Sequence, residues 1–316
     1  EKNLDNRECG NSLDLSDRHR LRWVFWKAKT KIYDLAKDFF GFTGVGAVFS
    51  LLHALIVSIT FWFTYNNMLM LLALIFKEQP TFVIDKKNIG ILLINALIFL
   101  ILFVYSFNGQ VGEYSYSVTE ALFVSLAFYG ALKRKIIFFT IVVSLAVLSR
   151  ESGFVLLAIW ALLNGLELRK IYKNYYLLIP PAVFFIANFN MIHCIFNDNF
   201  LVSSNPLPGQ LTYHIFLEGV WGFIRGLVAV MFNYGVFLIP TIFAFKWIRN
   251  IDGLNASIVN KIFILICLYV LVFLVATPLN HMSVKFVIAP LISVILATYI
   301  LGLVSQWGIA NKSKDY

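Results

Sequence analysis

The sequence predicts an all-α fold: a polytopic membrane helix bundle of about eight or nine transmembrane helices, several of them short, with an interfacial amphipathic helix near the N-terminus. Three observations carry that expectation. The 316 residues are 59% hydrophobic and 14% charged, whereas a soluble domain carries about 25% charged residues. Apolar runs recur along the whole length, and the 26 Lys and Arg gather mostly between the runs and before the first of them. The net charge of +9 fits that placement, because basic residues sort to the cytoplasmic ends of membrane helices. No stacking platform is interleaved with the basic residues, so nucleic acid is not an expected partner.

Residues 1–44 form a polar and then amphipathic segment, expected at the outer surface. Trp23, Trp26, Tyr33 and Phe40 recur at helical steps while Lys27, Lys29, Lys31 and Lys37 lie mostly elsewhere. This pattern suits a helix lying among lipid headgroups, with a basic cytoplasmic arm as the alternative. The chain opens on Glu1, so a signal or a first span is expected upstream.

Residues 45–316 form the expected transmembrane bundle, with outer loops at 107–120, 192–219 and 278–285. The run from Val45 to Phe76, interrupted by Thr64, Tyr65, Asn66 and Asn67, is too long for one straight span and too short for two. It reads as one tilted or broken span, its Asn pair marking a helix break or bonds between helices. Further runs cover 89–105, 121–132, 136–148, 154–166, 176–192, 226–245, 262–277 and 286–303. Cys9, Cys194 and Cys267 are too few for a disulfide framework and lack metal spacing. Cys267 is expected to pack within its run, and a Cys9 to Cys194 bridge requires an oxidising compartment.

Alternate loops from Lys77 onward divide the cations unevenly. One set holds fourteen Lys and Arg, among them Lys77, Lys86, Lys87, Lys133, Arg134 and Lys135; the other holds Arg150, Arg225 and Lys285. The richer set is expected on the cytoplasmic side, which leaves Glu120 and Arg150 on the periplasmic or lumenal side. Parity also places the N-terminal segment there, against its nine Lys and Arg.

The chain is organised around Tyr114 to Leu163. Its three runs reach roughly 20 Å, short of the roughly 30 Å hydrocarbon core. Glu120 and Arg150, at the ends away from the Lys133 to Lys135 knot, are therefore expected to line a wet crevice below the outer membrane surface.

Ser117-Val118-Thr119-Glu120-Ala121-Leu122-Phe123, a basic turn, another helix and then Ser149-Arg150-Glu151-Ser152-Gly153 resemble the membrane glycosyltransferases of the type C fold. The segment His281-Met282-Ser283-Val284-Lys285 before Pro290 is similar to their last outer segment. The resemblance covers about Tyr105 to Leu303. It departs in the first outer loop, where those families keep an acidic residue just after a first span; here no span precedes residues 1–43.

The resemblance implies transfer of a sugar from a polyprenyl phosphate donor to a glycan, lipid or protein acceptor, in a bacterial inner membrane or the endoplasmic reticulum. Such a reaction needs a carboxylate to take the acceptor proton and positive charge around the departing phosphate. Glu120, Glu113, Asp14 and Asp17 are the candidate carboxylates, as base or as ligands positioning acceptor or metal. The reading leaves the cofactor unassigned, with a divalent cation as one that would suit these carboxylates. Arg150 and Lys285 are the candidate phosphate clamps, with His281 four residues before Lys285 and on the same helical face. Three other readings stay open: Glu120 and Arg150 pairing to close a buried site, a lipid or polysaccharide transporter or polymerase, and a noncatalytic membrane subunit of a glycosylation complex.

Overall fold

The structure is a computed structural model that describes residues 23–75, 89–107, 115–149, 151–165, 175–187, 219–250, 256–276 and 287–312. Within those residues the fold is all-α, with no strand. The described helices are α1 Trp23–Ile75, α2 Ile89–Phe107, α3 Ser115–Leu132, α4 Ile136–Ser149, α5 Leu156–Asn164, α6 Ile179–Ala187, α7 Gly219–Arg249, α8 Ala256–Ala276 and α9 Ala289–Lys312. Short 3-10 turns, Glu151–Val155 and Tyr175–Leu178, lead into α5 and α6. Pro180 and Pro181 sit in the first turn of α6, where a missing N–H costs no helical bond. Both α7 and α9 outrun their apolar stretches, because backbone pairing does not stop where hydrophobicity does.

A sharp break divides α1. Gly41 has φ 68° and ψ −178°, backbone that L side chains rarely adopt. Three residues on, a Cβ at Gly44 would collide with the Phe40 Cβ. The corner thus requires glycine at both positions, and it separates the lead-in from the apolar stretch. Among the described residues, Gly44–Ile75 is the one helix long and apolar enough to cross a membrane. Its two asparagines do not break it: Asn66 Nδ2 donates to Trp62 O at 2.8 Å within the same helix.

The direction of α1 follows from its contacts with α3. Phe63 meets Tyr129 edge to face at 5.2 Å, while Asn67, one turn further along α1, donates from Nδ2 to Ser125 O at 2.8 Å, one turn earlier in α3. The two helices are antiparallel. Ile75 therefore ends toward the start of α3, and the lead-in lies toward the Lys133 to Lys135 turn. Loop parity sets both ends the other way, because it assumes one crossing for each apolar run. Lys31 and Lys37, exposed on the lead-in, lie toward the other cations. Lys77, Lys86 and Lys87 lie outside the described residues.

The core centres on α9, where every residue from Ala289 to Ile295 is buried, as are Val287 and Ile288 just before it; α1, α2 and α7 all pack against it. A helix that is buried all round must be apolar all round, as this stretch nearly is. Around this axis the α3–α4–α5 hairpins stack through Tyr129 on Phe138 at 6.2 Å and Phe139 on Trp160 at 5.1 Å. They leave two corners at opposite ends of α4.

Candidate functional site

The corner at the end of α4 is built on glycine. A Cβ at Gly153 would lie 2.7 Å from both Ala146 C and Val147 N, and 2.9 Å from Ala146 O. These are backbone atoms and cannot give way. Only glycine lets the 3-10 turn lie directly on the last turns of α4, and this close approach fixes where the chain doubles back after Ser149, itself buried. Phe154 then locks the turn against Phe184, edge to face at 5.1 Å.

Across from this corner stands Glu120. The second turn of α3 carries it, and it is 4% exposed. Tyr269 of α8, fully buried, lies within electrostatic reach of its carboxylate. The same helix α8 also contacts the 3-10 turn, so Glu120 and the 149–153 corner share one end of the bundle. Taking a carboxylate out of water costs several kcal/mol, on the order that only polar surroundings offset.

Polar side chains continue from Glu120 into the α1–α3 seam. Thr64 Oγ1 donates to Thr60 O at 2.7 Å and lies 3.2 Å from Ser125 Oγ. Ser125 Oγ in turn donates to Ala121 O at 3.0 Å. Asn67 Oδ1 and Ser117 Oγ are buried without a hydrogen-bond partner among the described residues. The Asn67 bond to Ser125 answers the choice between a helix break and an interhelical bond in favour of the bond.

Of the predicted site residues, Glu120 is described. Arg150 lies outside the described residues, although Ser149 before it and Glu151 after it are placed. Glu113, Asp14, Asp17, His281 and Lys285 also lie outside, as do Cys9 and Cys194. Asp34 and Asp38 are exposed on the lead-in, toward the opposite end from Glu120. Two expectations need correction. Glu120 is buried at 4% exposure rather than facing open water. Cys267 is exposed, since Leu265, Ile266 and Tyr269 take the buried side of α8. Among the described residues no group of three or more His, Cys, Asp or Glu stands together as a metal site.

Sequence reasoning missed Tyr269 altogether and took Gly153 as part of a motif without its packing role. A tyrosine inside an apolar run is a weak signal, although a buried phenol calls for a polar neighbour. Comparison with protein-family models, curated proteins and solved structures gives no match to this chain.

Proposed function

We propose that this chain is an integral membrane glycosyltransferase that moves a sugar from a polyprenyl phosphate to an acceptor at the end of the bundle that holds Glu120. The observation that supports it most is the buried carboxyl of Glu120 at the end of the bundle where α4 closes on its glycine-built corner. Large apolar side chains on the outside, including Leu93 at 61%, Ile137 at 60% and Trp221 at 75% exposure, fit a lipid surrounding. On this reading the polyprenyl tail lies in lipid beside the bundle.

Glu120 accepts the acceptor hydroxyl proton as that oxygen attacks the anomeric carbon. The glycosidic C–O bond breaks and the polyprenyl phosphate leaves with the electron pair, its growing charge met by Arg150, with Lys285 and His281 as further donors. Burial of Glu120 keeps bulk water from the base, which favours transfer over hydrolysis. The test is transfer of radiolabelled sugar from polyprenyl phosphates by the purified chain in liposomes. Product from wild type, lost in Glu120→Gln and Arg150→Ala variants that melt as wild type does, supports the reading. Normal transfer by both variants removes it.

The burial of Glu120 favours one second reading. In it the carboxylate is a structural charge in a noncatalytic subunit, and Glu120→Gln lowers the melting temperature with no transfer to lose.

A further inference from the structure

The other corner of the hairpin, Lys133 to Lys135, is unused by the chemistry above. Its backbone forms a helix-ending motif in which Lys135 N donates to Gly130 O at 2.9 Å and Arg134 N donates to Ala131 O at 3.1 Å. Such an ending needs its next-to-last residue in left-handed backbone, usually glycine. Here that residue is Arg134, at φ 55°. A cation therefore occupies the position where glycine would be least strained, between two more cations. All three are exposed, and no ion pair holds them among the described residues. Asn164 Nδ2 adds a bond to Ala131 O at 3.0 Å, so α5 braces the turn from behind and leaves its outer side open.

An apolar stripe leads away from this turn. Ile137, Ile141 and Leu145 follow at four-residue steps along one face of α4, exposed by 60%, 55% and 46%. Four-residue steps put side chains one above the other. The surface thus joins a cluster of three positive charges to a strip of hydrocarbon that runs along the helix. Charge at the head and apolar length behind it match an anionic phospholipid, and a soluble anion would have no use for the strip.

We propose that Lys133, Arg134 and Lys135 bind the phosphate headgroup of an anionic membrane phospholipid whose acyl chains lie along Ile137, Ile141 and Leu145. This site rests on the membrane part of the function proposed above and not on sugar transfer. Each cation near a charged headgroup contributes about a fivefold gain in affinity.

The experiment titrates the purified full chain, in phosphatidylcholine nanodiscs or mixed micelles, with phosphatidylglycerol and follows its melting temperature. Wild type is expected to melt higher as phosphatidylglycerol is added. Arg134→Gly is expected to melt higher than wild type in phosphatidylcholine alone, because it relieves the left-handed strain. It is also expected to need about five times more phosphatidylglycerol for the same rise. Lys133→Gln with Lys135→Gln keeps the turn geometry and is expected to shift the titration by about twenty-five-fold. An unchanged titration in both variants overturns the proposal. So does an equal rise with inorganic phosphate in phosphatidylcholine, which assigns the cations to a free anion. A chain that stays in solution without detergent sinks the membrane reading as well, whereas an unshifted titration with intact sugar transfer sinks this site alone.

Discussion

The two corners of α4 differ in almost every physical respect. At one end, three cations stand in the open around a left-handed arginine, in a turn held by backbone bonds and one bond from Asn164. At the other, a glycine presses the chain onto α4 so closely that no side chain fits, and a buried carboxyl lies within electrostatic reach of Tyr269. The contrast shows how one fourteen-residue helix separates two kinds of charge. Exposed charges need no partner, so they can gather by sign. A buried charge survives only where the fold supplies polar company, so it falls where three helices meet.

The comparison breaks most clearly at Glu120. Removing its charge with Glu120→Gln is expected to lower sugar transfer by about 10²- to 10⁴-fold, the range for losing a general base, as read by radiolabel transfer. The same loss of charge at Lys133 is expected to leave transfer near wild type.

Gly153→Ala sharpens the glycine-built corner. The added methyl meets backbone and is expected to destabilise by about 1–3 kcal/mol, a fall of several degrees in melting temperature. Gly46, whose Cβ direction is open, serves as the control: Gly46→Ala is expected to raise stability by roughly 0.5–1 kcal/mol.

Between the corners, the α1–α3 seam is expected to contribute less. Asn67→Leu removes one buried interhelical bond and is expected to cost about 0.6–1.7 kcal/mol, measured by thermal melting in detergent. At the open corner the sign reverses. Arg134→Gly is expected to stabilise by about 1 kcal/mol, a rise of a few degrees.

Much of the helix content was legible in the sequence, because an apolar run can satisfy its backbone only within itself. The break before the long apolar stretch was not read from the sequence, where Asn66 and Asn67 marked the expected break, whereas the structure puts it at Gly41. Direction was not legible either. Loop parity set the ends of α1 on the wrong sides relative to α3, since charge counts carry no record of which helices touch; Asn67 and Ser125 hold that record, and they are far apart in sequence. The Glu120 end was half legible. Its acid and the 149–153 corner could be read as sharing one end from the hairpin lengths, but Tyr269 comes from a distant apolar run, and the burial of Glu120 was not foreseen. Arg134 was illegible for a further reason: a turn of this kind signals itself by glycine, and here it has none.

The central proposal is that Arg150 and Glu120 serve one lipid phosphate site at the Glu120 end of the bundle. The most direct measurement is an experimental density map of the chain bound to a polyprenyl phosphate. The account predicts phosphate density within about 3 Å of the Arg150 guanidinium, on the Glu120 side of the bundle. Density for that phosphate only at the Lys133 to Lys135 turn, or an Arg150 side chain directed into lipid away from Glu120, contradicts it.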